Sequence, residues 1–268
     1  MSAFTADWLA LREPYDAQAR SRTVLDAVSA AFAGRTSLAI VDLGCGTGST
    51  LRALAPRLAA RQHWKLVDND LGLLARAATA QHERATVVTA AIDLVRDLEA
   101  ALDGPVDLVT TSALLDLVSE SWLERFVVEL AARKLPLYAA LTVDGRVQVK
   151  PPDARDAAVL AAAGAFHRRD QGFGPALGPD AAQQLLARLA AVGYAVTHDT
   201  ADWRFGSQDQ EIEIQILESW AGAAREVGRR PAPEIAAWLA LRREQAAAGR
   251  LSIEIGHIDV FATPTGRR

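Results

Sequence analysis

A glycine-rich turn between a strand-like run and a helical one constrains this chain more than any other feature. Ser37-Leu-Ala-Ile-Val-Asp-Leu43 reads as a buried strand, and Gly44-Cys45-Gly46-Thr47-Gly48-Ser49 follows before helical spacing begins at Thr50. Glycines at such a turn adopt positive φ and let a ligand lie against bare backbone. The amide groups at the start of the next helix point outward, toward that ligand. In sheets of parallel strands the crevice at the carboxyl ends is where ligands sit.

The rest of the chain supplies the strands for such a sheet. Short apolar runs at 63–68, 85–90, 106–112 and 137–142 alternate with helical stretches at 50–61, 71–80, 94–102 and from Ser119. This alternation predicts βαβ units and an α/β fold. Val143-Asp144-Gly145-Arg146 reads as a hairpin turn. Before the first strand, Trp8, Leu9 and Leu11, then Val24, Leu25, Val28 and Phe32, recur at helical spacing with Pro14 between two segments. After 150 come a helix at 153–170, a Gly/Pro loop at 171–179, a helix at 180–192 closed by Gly193, and a strand from Tyr194. Two further helices, 212–227 and 234–248, precede a last strand at 251–262. The expected sheet has seven strands with a helical insertion at about 208–248 between the last two, in one domain over 1–268.

Composition narrows the function classes. Lys+Arg 29 against Asp+Glu 33 gives a net charge of −4, which does not favour a nucleic-acid partner. The one cysteine, Cys45, rules out an intrachain disulfide and a Cys-rich zinc cluster. His63, His82 and His198 lack metal-ligand spacing, so no catalytic metal is expected. Residues 1–7 lack a signal-peptide pattern, and no run reaches the ~18 apolar residues of a membrane span. A cytoplasmic protein without a membrane partner, monomer or homodimer, is the expectation.

Asp68 lies 20 positions beyond Gly48, at the end of the second strand. An acid there is suited to accept hydrogen bonds from ribose hydroxyls, so the pair points to a nucleoside-bearing cofactor. The glycines run Gly-x-Gly-x-Gly with Ser49 next, and not the Gly-x-Gly-x-x-Gly of a dinucleotide site; no Gly-Lys-Ser/Thr of a phosphate loop is present. Together with Asp42, Asp68-Asn69-Asp70, Ala91-Ile92-Asp93-Leu94 and Asp107-Leu-Val-Thr-Thr-Ser112, over roughly 35–145, this resembles class I S-adenosylmethionine-dependent methyltransferases.

The resemblance implies a Rossmann-like sheet with helices on both faces and an antiparallel last strand. It also implies S-adenosylmethionine as cofactor, with S-adenosylhomocysteine as product. Residues 1–34 would be a helical lid, 35–145 the cofactor-binding half and 146–268 the acceptor-side half. Gly44, Cys45, Gly46 and Gly48 would form the loop on the methionine and ribose side, with Asp42 orienting the amino group. Asp68 would bind the ribose diol, Asn69 would lie beside adenine, and Asp93 with the backbone of Leu94 would meet the adenine edge. Ser112 would stand near the methionine end, and Arg12 or Arg20 would pair with its carboxylate. Asp68 and Asp93 have an alternative reading as helix caps, and each arginine taken singly reads first as a surface residue on an amphipathic helix.

The expected reaction is in-line methyl transfer to a small-molecule acceptor, mainly by positioning. A general base is required only if the acceptor loses a proton. Asp116 after the fourth strand, Tyr138 on the fifth and His167 are the candidates. His167 belongs to Phe166-His167-Arg168-Arg169-Asp170-Gln171-Gly172-Phe173, which lines the acceptor site or is a solvated helix end. His257 reads as a buried strand histidine. The competing readings are a methyltransferase acting on protein or RNA, a cofactor-binding homologue without catalysis, and a nicotinamide dehydrogenase, which Ser49 disfavours.

Overall fold

The computed structural model describes residues 5–266. Residues 1–4 of the expected lid lie outside the described residues. In chain order the elements are α1 (Ala6–Ala19), α2 (Arg22–Ala31), β1 (Ser37–Leu43), α3 (Ser49–Leu54), β2 (Arg61–Asp68), α4 (Leu71–Ala77) and β3 (Ala85–Ala91). They continue with α5 (Leu98–Ala101), β4 (Leu108–Ser112), α6 (Glu120–Arg133), β5 (Leu137–Lys150), α7 (Asp156–His167), α8 (Ala181–Ala191) and β6 (Tyr194–Thr200). The last are β7 (Trp203–Phe205), α9 (Gln210–Val227), α10 (Ala232–Ala247) and β8 (Ser252–Pro264).

The strands form one sheet in the order β3-β2-β1-β4-β5-β8-β6, with β7 on β8. β1 to β5 are parallel; β8 runs antiparallel to β5, β6 and β7. The chain moves outward from β1 to β3, then crosses to β4 on the other side of β1. That reversal opens a crevice at the carboxyl ends of β1 and β4.

Helices pack on both faces because each carries an apolar stripe. On one face Trp122, Leu123, Phe126, Val127 and Leu130 of α6 recur every three to four residues and meet Leu185 and Leu189 of α8. Ser119 caps α6, its hydroxyl accepting from the Trp122 amide. On the other face Val24, Leu25 and Val28 of α2 join Leu51, Leu54 and Trp64. A third core, built on the far ends of β5 and β8 with β7, lies under α7, α9 and α10 and includes Trp203, Phe205, Trp220 and Trp238.

The sheet is the mostly parallel α/β sheet expected, with the last strand antiparallel, and the fold differs in several places. Among the described residues the sheet has eight strands, because the three-residue β7 pairs Trp203 with Ile255 and Phe205 with Ile253. Pro14 lies inside α1, and the break between the first two helices comes at Arg20–Ser21, where Ser21 caps α2 and its amide donates to Asp259. Residues 143–146 are no hairpin turn: β5 runs on to Lys150, with the register against β8 shifted between Val143 and Val147. Gly256 of β8 makes room for this bulge, since a Cβ there would lie 2.2 Å from Asp144 Oδ1. Finally, α3 stops at Leu54 in a 3₁₀ turn over Ala55–Arg57, where Pro56 removes a helical donor. Among the described residues no helix is long and apolar enough to cross a membrane, and no group of three or more His, Cys, Asp or Glu is placed to hold a metal.

Candidate functional site

The turn after β1 is held open by its own backbone. Gly44, Gly46 and Gly48 have φ of +65°, +53° and +85°, and the Cys45 amide donates to Val67 C=O at 2.9 Å. Asp68 reaches across from β2: its Oδ2 accepts from the Gly46 amide at 2.9 Å and its Oδ1 from the Asp70 amide at 3.0 Å. The cap of α4 is Asp70, whose Oδ1 accepts from Gly72 and Leu73. Asp68 therefore is free of the helix-cap role and braces the glycine turn.

A cleft of about 450 Å³ opens at this point. Gly44, Cys45 and Gly46 line it, with Asp68 and Asn69 after β2, Asp93 and Leu94 after β3, Ser112 after β4, and Arg12 of α1. Four crossovers thus deliver their predicted residues to one place. Two others stand behind the wall. Gly48 packs toward Leu66, Ala80 and Arg52, so its part is to shape the turn. Asp42 is fully buried; its Oδ1 accepts from Thr110 Oγ1 at 2.7 Å and its Oδ2 has no partner. Burial pushes its carboxyl up to about 7, against the pull of Thr110 and of Arg20. Cys45 is buried, and desolvation raises its thiol far above the usual range, so it is no nucleophile. Asp93 also fixes its own turn, accepting from the Val95 amide at 2.9 Å. A separate hollow of about 520 Å³ at 78–87 lies beside the edge strand β3, away from these residues.

Helix α1 lies across the turn. A Cβ on Gly46 would come within 3.1 Å of Leu9 Cδ1. Arg12 and Asp16 are both buried and form a two-pronged pair of 3.0 and 3.2 Å. Trp203 Nε1 donates to Asp16 at 3.0 Å, and the Arg12 guanidinium sits 4.8 Å over the Trp203 ring. Outside the cleft, Arg52 donates to both oxygens of Glu13 and to Thr47 C=O, tying α1 to the glycine turn.

Arg20 is buried behind Ser112. Its guanidinium donates to Ser112 Oγ at 3.2 Å and to Tyr138 Oη at 3.1 Å, and Nε has no partner. Among the described residues no carboxylate lies within ion-pair distance of it. Burial works against its charge, but Tyr138, Asp259 and Asp16 outweigh it and raise its pKa, so it is a buried permanent cation.

The three candidate proton-transfer residues are not brought together. Tyr138 is fully buried under Arg20, His167 is exposed on the last turn of α7, and Asp116 follows β4 just outside the lining; none of the three lines the cleft. Tyr138 and His167 fall there because β5 turns Tyr138 into the α2 core, and because α7 sits on the third core. Asp116 is half-buried, with Oδ1 enclosed and unpartnered, and burial pushes it up to about 6 against the opposing pull of Arg12. From the polar segment after α7, the cleft receives Gln171, Gly172 and Phe173. Arg168 pairs with Asp180 and Arg169 bonds Glu226 C=O. His257 is buried, its Nδ1 at 3.0 Å from Ile255 C=O, and burial with nearby Arg12 lowers its pKa to about 4.

Sequence reasoning missed Asp16 and Trp203. Arg12 and Asp16 at i,i+4 were a legible pair, but no local pattern announces a three-residue strand carrying Trp203.

Residues 40–134 match the family model of a methyltransferase domain. No curated protein matches the chain. Among solved structures, a cyclopropane-fatty-acyl-phospholipid synthase-like protein from Lactobacillus casei is 16% identical, over 96% of this chain and 95% of that one, with a TM-score of 0.52. The YcgJ protein from Bacillus subtilis is 15% identical, over 90% and 98%, with a TM-score of 0.50. A methyltransferase from Thiobacillus denitrificans solved with S-adenosyl-L-homocysteine is 16% identical, over 98% and 100%, with a TM-score of 0.47. The first two of these similarities establish a shared fold.

Proposed function

We propose that this chain, whose residues 40–134 match the model of a methyltransferase domain, is of the class I S-adenosylmethionine-dependent kind and transfers a methyl group from that cofactor to a small-molecule acceptor. The observation that carries the reading is the convergence of the glycine turn, Asp68, Asn69, Asp93, Leu94 and Ser112 on one cleft at the β1–β4 crevice.

The residues fit the cofactor on three counts. The backbone at Gly44 and Gly46 is bare, with Leu114 and Leu9 already 3.3 and 3.1 Å from where a Cβ would stand. Asp42 stands behind the cleft wall, and its unpartnered oxygen is suited to reach an ammonium through a bridging water. Arg20 is a buried cation without an acid partner, beside the cleft residue Ser112. Arg20 is therefore better suited than Arg12, already spent on Asp16, to hold a carboxylate. Asp68 keeps free lone pairs for the ribose diol, Asn69 stands beside the base, and Asp93 with Leu94 meets its edge.

When bound, S-adenosylmethionine supplies an activated methyl group, so the protein's task is alignment and exclusion of water. Residues 35–145 hold the cofactor. Helix α1 covers it, and the acceptor enters from the side of 146–268, next to Arg12 and Asp16. Tyr138 positions Arg20. None of Asp116, Tyr138 and His167 lines the cleft, so the reading rests on positioning and assigns no general base. A cleft covered by a helix suits a small acceptor better than a protein or RNA chain.

Titration calorimetry with S-adenosylhomocysteine and with NAD tests the cofactor. Micromolar binding of the first and none of the second is expected, and the reverse refutes the reading. Release of S-adenosylhomocysteine across a panel of small acceptors then tests catalysis. Removing residues 1–20 should weaken cofactor binding at least tenfold; an unchanged affinity refutes the lid.

A further inference from the structure

The cleft contains an aromatic side chain that the reading above leaves without a task. Phe173 is half-buried and lines the cleft together with Gln171 and Gly172. It stands at the tip of a closed arch. Asp170 and Pro175 bridge its base, and Asp170 Oδ1 accepts from the amides of Gly172 at 2.7 Å and Gly174 at 2.9 Å. Gly172 and Gly174 have φ of +104° and +87°, backbone that other residues rarely adopt. The chain on either side is anchored: Arg168 pairs with Asp180, and the amides of Leu177 and Gly178 donate to Val118 and Asp116 C=O, both at 2.8 Å. The arch is thus preformed.

Its direction is set by Trp122. The Phe173 ring meets the Trp122 ring edge-on, with centroids 5.5 Å apart. Trp122 Nε1 in turn donates to Leu94 C=O at 2.7 Å. Phe173 therefore stands one ring away from Leu94, at the end of the cleft shared with Asp93 and Val95. The Arg12–Asp16 pair is held on α1 against Trp203.

We propose that the arch 170–175 is a purine cap: Phe173 covers the base of the bound nucleoside and thereby selects an adenine-type ligand. This rests on the methyltransferase reading, because that reading places the base beside Asp93 and Leu94. An aromatic ring on a base face gains affinity through stacking that an aliphatic residue of similar size does not supply.

The test uses the full-length protein, calorimetry, and two probes, S-adenosylhomocysteine and 5′-methylthioadenosine, which lacks the amino-acid portion. Phe173→Leu keeps an apolar group against Trp122 and removes the aromatic face; Phe173→Tyr keeps both. Phe173→Leu should weaken both probes by the same factor, about tenfold, with Phe173→Tyr within about threefold of the parent. Equal affinities of parent and Phe173→Leu for both probes overturn the cap. So does a loss confined to S-adenosylhomocysteine, which would put Phe173 at the amino-acid end. A parent protein that binds neither probe instead refutes the cofactor assignment from which the cap is argued.

Discussion

Charge without a partner is the informative signal at the scale of single residues. Arg20 is buried, permanently charged, and bonded only to two hydroxyls, Ser112 and Tyr138. Stability alone does not favour such a cation, since an apolar replacement of a buried charge is often neutral or stabilising. Arg20→Met should therefore leave Tm unchanged or raised while weakening S-adenosylhomocysteine binding about tenfold or more, as loss of a charge-assisted bond to a carboxylate requires. Calorimetry and a melting curve on the same variant check both halves. The acids show how far local reading goes. Asp68 and Asp70 are both placed to cap α4 by their positions, and only their hydrogen bonds separate the brace of the glycine turn from the cap.

Helix α1 illustrates the element scale. Its sequence contains an interior proline that argues for two pieces, and yet it runs unbroken from Ala6 to Ala19. Tertiary contacts compensate for the missing bond: Tyr15 Oη donates to Asp209 at 2.9 Å, Asp16 accepts from Trp203, and Glu13 pairs with Arg52. Of these the Glu13–Arg52 clamp alone joins α1 to the glycine turn through Thr47. If α1 opens to admit cofactor, Arg52→Ala should raise the dissociation rate of S-adenosylhomocysteine severalfold with little change in Tm, because a half-exposed ion pair contributes little to stability. Stopped-flow fluorescence reads the rate. A similar lesson comes from residues 143–146, where Asp, Gly and Arg form a turn-like string but β8 pairs on both sides of it and turns it into a bulge.

Across the whole molecule, the third core gives the extended ends of β5 and β8 a cover of their own, and it contains a misfit. Glu213 lies on the apolar face of α9, 1% exposed, with neither carboxylate oxygen partnered. Burial, with nearby Asp209, pushes its carboxyl from 4.5 up to about 7. A pKa raised in the folded state means that protonation favours folding. The stabilising contribution is complete below 4.5 and is lost as pH rises through about 7. Glu213→Leu should therefore be more stable than the parent by on the order of 2 kcal/mol at pH 8, with the gap shrinking toward pH 5. Paired denaturation curves at both pH values check the sign. Over 35–145 the residues that line the cleft were legible one by one, with Asp42 and Gly48 falling behind its wall, because the turns come directly after short strands and leave little freedom of placement. The half after 150 was legible as helices and strands alone.

Local chemistry was sufficient for the alternation of strands and helices, for the glycine turn and for the acid at the end of β2, since backbone freedom and apolar periodicity act over a few neighbouring residues. Which distant side chains meet could not follow from such rules. That Arg20 reaches Ser112, that Asp16 holds Trp203, that Phe173 rests on Trp122, and that His167 and Tyr138 stand apart from the cleft depend on how the crossovers pack. Packing is a property of surfaces brought together from far apart in the chain, 92 positions for Arg20 and Ser112 and 187 for Asp16 and Trp203, and it is decided only once the sheet has closed.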